Sequence, residues 1–479
     1  MPEYRGFIGP SNPSASPIAD QERTVNMYLE KAQSPGSVAP IVLYSIPGFE
    51  SISAATTGFG RANVFIGGRQ FIVVGADLIE VNQLGVQTVR GTVAVDGNPA
   101  TICGNGDGGN QLFVTSGGNG YVYDLVGNTL SAIAALAGIS VMGTQIDGYF
   151  LSLDSATSTI YISDLNDGTT WDPSNFIQRS QAPDPWVSIA VSNKYLYFIG
   201  SQTGEAWYNA GTFPIPFVPA SAGLFNYGTP SPFSPKRVGD SLCFVGQTIN
   251  GTGLVLQARG LRPEVISTDA LTHALGQYST LTDGIGDCHS VAGHTFYTIT
   301  FPEQNATWAW DESFPSWCER GSWESMTGMY NAWRPIHHSF AFGEARFLDL
   351  IGSSLYRMDE TLATDIDGEG IRWQRTGPSI VQENKPIFFG TFELLAETGI
   401  GLSSGQGSDP QVMMQLSKDG GRTWGSEIWR SMGLLGEYGK RIRWTRCGTG
   451  RKKTVRIAGS DPVRVMLAGG YFDPMMVGI

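Results

Sequence analysis

The stretch Tyr195-Leu196-Tyr197-Phe198-Ile199 is apolar on both faces of any strand it forms, with Tyr195, Tyr197 and Ile199 on one side and Leu196 and Phe198 on the other. A strand with one face in water alternates apolar and polar residues, so this one belongs to a sheet covered on both sides. The same unit recurs as Phe71-Ile-Val-Val, Leu112-Phe-Val, Phe150-Leu-Ser-Leu, Leu242-Cys-Phe-Val, Phe296-Tyr-Thr-Ile and Phe347-Leu-Asp-Leu. Each follows a Gly or Asn turn and leads through a second turn into a second strand. Anchored on Phe71, Phe113, Phe150, Leu196, Leu242, Phe296 and Phe347, the intervals are 42, 37, 46, 46, 54 and 51 residues. That is propeller-blade spacing, roughly 40–50 residues. Four of the second strands end on Asp, at Asp124, Asp164, Asp311 and Asp359, where the carboxylate can bond its own turn backbone. The pattern predicts radially stacked blades, six or seven in number.

Composition agrees. The chain has 479 residues, 62 Gly, 26 Pro, 11% aromatic and only 15% charged residues, which describes a turn-dense all-β protein. One short helix is expected, over Thr268–Tyr278. Formal net charge is −12, so long-range repulsion works against nucleic acid and anionic membranes, and any polyanion contact must be local. Five scattered Cys, at 103, 243, 288, 318 and 447, argue for core thiols rather than a disulfide framework. No Sec-type leader and no apolar run of membrane-spanning length, about 18–20 residues, is present, so no membrane insertion is expected.

Three segments are expected. Residues 1–57, rich in Pro and Ser around the apolar Val25-Asn-Met-Tyr-Leu-Glu30, form an extended N-terminal arm. Residues 58–380 form the propeller. Residues 381–479 form a C-terminal β domain, with strands at Ile387–Phe392, Val412–Ser417, Arg441–Cys447, Thr454–Ala458 and Val463–Leu467. The arm and the Pro-rich loop Thr212–Pro235 are the candidates for reaching neighbouring molecules, because Pro stiffens an extended segment.

Several motifs could carry chemistry. Ser417-Lys-Asp-Gly-Gly-Arg-Thr-Trp424 is an Asp-box, with a degenerate copy at Asp167-Gly-Thr-Thr-Trp171. It raises the alternative of a sialidase-like glycan hydrolase; the structural reading is a hairpin in which Asp419 binds turn amides and Trp424 packs beneath. Gly401-Leu-Ser403-Ser-Gly405 matches a nucleophile elbow, yet every His precedes it, the last being His338. Asp365-Ile-Asp367-Gly-Glu369 and Asp164-Leu-Asn166-Asp167 are acidic turns without the bidentate Glu of an EF-hand loop. Cys288-His289 and His337-His338 are adjacent pairs, which a strand sends to opposite faces. Gly104-Asn-Gly-Asp-Gly-Gly-Asn110 lacks the Gly-Lys-Ser/Thr end of a phosphate loop. The expectation is no catalytic, cofactor or metal residue. One local charge anomaly stands out: Lys440, Arg441, Arg443, Arg446, Arg451, Lys452, Lys453 and Arg456, with no acid among them. On a strand, Ile442 and Trp444 face inward and Arg441 and Arg443 outward. This is a candidate contact for DNA phosphates or for an acidic protein face, the second being favoured.

The order of features between Asp164 and Ala274 resembles a known family: Ser163-Asp-Leu, Thr170-Trp-Asp-Pro173, Gln181-Ala-Pro-Asp-Pro185, Glu205-Ala-Trp-Tyr-Asn-Ala-Gly211, Gly251-Thr-Gly253 and Gly260-Leu-Arg-Pro-Glu-Val-Ile-Ser-Thr268. Val25–Glu30 with Pro47-Gly48, and Ser417-Lys-Asp-Gly-Gly through Arg441-Ile-Arg-Trp444 to Asp461-Pro462, extend it over nearly the whole chain. The chain is similar to the tail hub, or nozzle, protein of short-tailed bacteriophages (podoviruses), also called packaged DNA stabilisation protein. The resemblance implies a virion protein without enzymatic activity or cofactor, assembled in the host cytoplasm. It implies a homo-oligomeric ring, a hexamer, below the portal and its adaptor ring. Such a ring extends the DNA channel, retains packaged DNA, conducts it at genome ejection with transient non-specific contact to passing duplex, and docks a tail needle or plug and tail fibres or spikes. The chain departs from the family in the loops Gly104–Gly109 and Thr398–Pro410.

Overall fold

The computed structural model describes residues 1–479 except 18, 35, 55–56, 180–181, 382–384 and 477–479; Gln181 of the 181–185 motif thus lies outside the described residues. The repeat is a seven-bladed propeller. Blades 1 to 5 are four-stranded antiparallel sheets spanning 60–92, 101–132, 142–178, 186–225 and 236–265. Blade 6 spans 285–320, and blade 7 takes three strands from 335–359 and its fourth, Gly48–Ala54, from near the N-terminus. The innermost strands touch one another in cyclic order, the one from Pro335 to Ala341 lying against the one from Gly60 to Ile66.

Every sequence anchor falls on the second strand of its blade. These strands are buried on both faces, as expected: Phe71, Ile72, Val73 and Val74 are all fully buried, and so are Leu242, Cys243, Phe244 and Val245. The first and fourth strands have no such signature. First strands crowd the axis and need small residues: a Cβ on Gly143 would sit 2.4 Å from the Phe113 ring, and one on Gly286 would lie 2.0 Å from the Ser234 carbonyl oxygen. The expected helix is Asp269–Gly276, capped by Thr268, whose hydroxyl accepts from the Leu271 N–H.

Residues 1–57, expected as an extended arm, carry five strands woven into the rest of the protein. Gln21–Val25 pairs antiparallel with Trp373–Thr376, and its end, Val25, pairs in parallel with Glu319 on the outer strand of blade 6. One eleven-stranded sheet therefore runs from blade 6 into the C-terminal domain. That domain is a sandwich. Its second sheet orders Met27–Lys31, Ile41–Ser45, Met466–Met476, Ile387–Ala396 and Ile442–Gly450, and the two sheets enclose Phe389, Phe392, Met414, Trp444, Val455 and Ile457. Asn26 makes the crossing between sheets at φ 54°, a conformation Asn tolerates. Its amide donates to the Gly321 and Arg372 carbonyls at 2.7 and 2.8 Å.

Arg375, fully buried, holds the first two dozen residues in place. Its guanidinium donates to the carbonyls of Gly6 (2.8 Å), Phe7 (2.5 Å) and Pro10 (2.9 Å), to the Thr24 hydroxyl (3.0 Å) and to the Glu22 carboxylate. Ring closure rests on Gly48–Ala54, which pairs with Ser354–Asp359 from Asp359↔Gly48 to Ser354↔Ala54. Phe49 packs between Trp333 and Phe347, with ring centroids 5.8 and 5.6 Å away.

The seven first strands surround an axial cavity of about 240 Å³ lined in part by Ala62, Gly143, Ala190, Lys236, Gly286 and His337. His337 sits at a bulge with φ 53°, so the bulge, rather than a regular pleat, turns it to the axis while His338 packs on Phe347. Cys288 and His289 do diverge by the pleat: Cys288 packs in the core that includes Tyr297 and Trp317, and His289 lies against Phe296 and Trp333. Burial, with Lys236 and Arg61 nearby, pushes the His337 imidazole down to about 3.

Replacing Arg375 by Met leaves Glu22 and four backbone or hydroxyl acceptors without their donor, and is expected to cost about 3–5 kcal/mol, read as a lower denaturation midpoint. For His337 the unfolded chain binds a proton near pH 6.5 that the folded state refuses, so its contribution falls as pH drops, by about 1.4 kcal/mol per unit. Between pH 7.5 and 5 the wild type should therefore lose about 2 kcal/mol more unfolding free energy than the variant His337→Asn, in which Asn accepts the positive φ. Equal losses in urea titrations would show that His337 protonates freely in the fold.

Candidate functional site

The basic run divides between two environments. Arg441 precedes and Arg443 lies on the strand Ile442–Gly450, both facing outward, while Ile442 and Trp444 are buried beneath them. This is the alternation expected. Arg441 makes a bidentate pair with Glu393, 2.7 Å to each oxygen; Arg443 reaches the same carboxylate at 3.4 Å, and Lys440 pairs with Glu437 at 3.2 Å. The Arg441 and Glu393 groups hold each other charged, Glu393 below its ordinary range through its bonds to Arg441. Arg446, at φ 61°, and Arg451 are exposed, and Lys452 is half-buried.

Lys453 and Arg456 are covered instead, on opposite faces of their strand: Lys453 points to the sandwich core with Val455 and Ile457, and Arg456 points away from it, beside Trp323 and Arg372. Lys453 is buried, donates to the Cys447 carbonyl at 2.6 Å, and lies 5.9 Å from the Phe389 ring centroid. Arg456 stacks on Trp424 at 3.8 Å, and burial pulls its guanidinium down to about 10. Lys453 therefore packs the sandwich core, and Arg456 the opposite face of its sheet. The sequence reading missed Arg430, on the short strand Ile428–Ser431, whose Nε donates to the Arg443 carbonyl at 2.9 Å and which joins the outward cations. It also missed the exposed Leu435 and Tyr438 on the adjoining turn, 62% and 76% accessible. The only sequence signal for that surface was two large apolar residues beside glycines in a loop.

The Asp-box is a hairpin turn. Ser417 donates to Asp419 at 2.7 Å, Asp419 accepts from the Thr423 N–H at 2.9 Å, and Trp424 lies under Arg456. The degenerate copy closes the same way, Asp167 accepting from the Thr169 N–H at 2.9 Å, with Trp171 packed on Phe113. Ser403 is exposed on a loop between turns, without the strand and helix that an elbow requires. In the turn 365–369, Asp365 is buried and its carboxyl pushed up to about 6 by that burial, while Asp367 accepts from the Glu369 N–H at 3.0 Å. Asp164 and Asp167 bridge each other's backbone. Among the described residues no three His, Cys, Asp or Glu side chains converge as metal ligands. The loop 104–110 closes on itself, Asn105 accepting from the Gln111 N–H at 2.9 Å.

A glycosidase on this scaffold would place paired carboxylates at the blade centre. The axial cavity instead has Lys236, Arg237 and His337 among its lining residues, and no Asp or Glu among those described. Its 240 Å³ is below the roughly 300–1,000 Å³ of ordinary ligand pockets. A second cavity, about 600 Å³, opens beside the axis, with Phe59, Pro99, Trp323, Ile336 and Leu350 in its wall together with two carboxylates, Glu324 and Asp367, and with Arg334, which is already paired with Asp349. No helix is long and apolar enough to cross a membrane among the described residues.

Two family models match the chain: bacteriophage P22 Gp10 β-propeller over residues 20–363, and bacteriophage P22 Gp10 β-sandwich over residues 372–473. No curated protein sequence matches significantly. Solved structures with a similar course include the N-terminal domain of Nup159 (10% identity, 70% of this chain and 98% of that one, TM-score 0.42). They also include a streptogramin B lyase (9%, 65% and 97%, TM-score 0.42) and virginiamycin B lyase from Staphylococcus aureus (11%, 64% and 98%, TM-score 0.44). These likenesses are too distant to bear on function. With both of its domains matched in order by the same family, the chain belongs to the bacteriophage P22 Gp10 family of short-tailed phage tail-hub proteins and is a structural protein of the virion tail.

Proposed function

We propose that copies of this protein assemble into a homo-oligomeric ring, six in number as the family resemblance implies, that extends the DNA channel below the portal and its adaptor ring. The ring retains packaged DNA, conducts it at ejection, and docks a needle or plug and fibres or spikes. Subunits are made in the host cytoplasm and built into the tail there.

One observation carries the reading from fold to assembly. Side chains from all seven first strands close in on the propeller axis around a cavity of only about 240 Å³, so a DNA conduit built from this chain is expected to run between copies and not through the propeller. A closed ring of identical copies uses heterologous contacts, one patch of each subunit meeting a different patch of the next. The outward cations Lys440, Arg441, Arg443, Arg446 and Arg451 are proposed as a contact surface for such a partner, or for passing duplex; Lys452, Lys453 and Arg456 support that edge from behind.

Cryo-electron microscopy of intact virions tests this directly. The expected result is density for several 51.5 kDa subunits around a central channel beneath the portal. Particles assembled without the protein should fill with DNA and then lose it, measured as nuclease-sensitive genome. Particles that lack the protein yet hold their DNA and infect normally would rule the reading out.

A further inference from the structure

Charge is distributed unevenly over the chain. From residue 91 to residue 178 there is no Lys, Arg or His. This stretch builds blades 2 and 3, and six of its aspartates, Asp107, Asp124, Asp147, Asp164, Asp167 and Asp172, lie on the connections from first to second and from third to fourth strands or at their start. In alternating antiparallel strands those connections emerge on one face of the toroid. Hydrogen bonds knit them together: the Gly168 N–H donates to the Gln111 side chain at 2.6 Å, the Leu125 N–H to the Asn110 carbonyl at 2.9 Å, and the Asn166 N–H to the Gly148 carbonyl at 2.9 Å. Val126 and Leu165, 76% and 55% exposed, lie on the same turns. Arg69 of blade 1 reaches these turns, donating to the Leu125 carbonyl, and is already paired with Glu80.

The sandwich carries the opposite surface. Arg430, Lys440, Arg441 and Arg443 stand with two carboxylates, Glu393 and Glu437, beside the turn that carries the exposed Leu435 and Tyr438. The strand Ile442–Gly450 beneath them is the edge of its sheet. The sandwich is fused to blade 6, and in a cycle of seven, blades 2 and 3 lie across the axis from blade 6. The two surfaces are thus presented on different sides of the molecule, the requirement for a head-to-tail contact. Pairing like with like would set aspartates against aspartates.

We infer that the basic, apolar-centred edge of the sandwich docks on the acidic turn face of blades 2 and 3 of a second copy of this chain. The inference rests on the ring reading and names its interface: cations meet aspartates around a centre where Leu435 and Tyr438 meet Val126 and Leu165. Such an interface combines steering by opposite charge with a desolvated apolar middle.

Charge reversal tests it on the full-length chain by light scattering over a concentration series. Arg441→Glu with Arg443→Glu, or Asp107→Lys with Asp164→Lys, should each weaken self-association by about tenfold or more. All four changes on one chain should restore it, which also shows that each reversed surface folds. Wild-type association should weaken as salt shortens the screening length from about 10 Å at 0.1 M to about 3 Å at 1 M. If either reversed pair associates like wild type, or the fourfold variant fails to recover while wild type assembles, this interface is wrong and the ring survives. If wild type stays monomeric alone and is missing from virion tails, the ring reading fails with it. If the arginine reversal abolishes binding of a labelled DNA duplex and leaves association intact, the edge serves DNA and the inference is overturned.

Discussion

The pairing of Gly48–Ala54 with Ser354–Asp359 is the contact on which the toroid depends. A propeller without it would end in a three-stranded blade with a bare edge, and unpaired strand edges invite association with other chains. Here the closing strand comes from the opposite end of the propeller sequence, so the ring is locked by two segments some three hundred residues apart. Phe49 adds an apolar bolt between Trp333 and Phe347. The adjoining Gly48 has no room for a side chain, since a Cβ would lie 2.6 Å from the Thr364 nitrogen.

That closing strand forces the residues before it to be built as well. The chain passes through blade 6, crosses at Asn26, makes the hairpin Met27–Lys31 with Ile41–Ser45 in the sandwich, and only then reaches blade 7. Arg375 organises the start of that path from a fully buried position, where its donors match carbonyls that would otherwise lack partners. The sandwich core and ring closure therefore share the same fifty-odd N-terminal residues.

How much of this was legible in the sequence follows from what each strand packs against. Second strands, covered on both faces, announce themselves as aromatic and aliphatic runs. First strands mix small residues with apolar and polar ones, as in Met142–Ile146 and Ile285–Val291, because they converge on the axis, and fourth strands such as Thr129–Ala132 are mostly exposed, so neither has a period that stands out. The helix expected over Thr268–Tyr278 forms as Asp269–Gly276, with Thr268 as its cap. Val25–Glu30 looked like an isolated apolar patch because its partners, Glu319, Arg372 and Trp373–Thr376, lie far along the chain. In the basic run, alternation about Ile442 and Trp444 gave the outward arginines correctly. Lys453 broke the pattern because a long cation can bury its stem when a carbonyl receives its head, whereas Arg456 keeps the alternation but is covered by the Trp424 indole face. The opposing acidic face was equally visible as a cation-free stretch, but only the blade order shows that its aspartates share one surface.

The sheet that runs unbroken from blade 6 through Gln21–Val25 into the sandwich has a mechanical meaning. Two domains joined by a single linker pivot, and torque on one is dissipated in the joint. Here a push on the sandwich is carried by backbone hydrogen bonds directly into the toroid, and Asn26 and Arg375 brace the junction on either side. A subunit built this way behaves as a stiff wedge. In the ring proposed above, displacement of one such wedge would pass to its neighbours as rotation of whole bodies rather than as bending within any one of them.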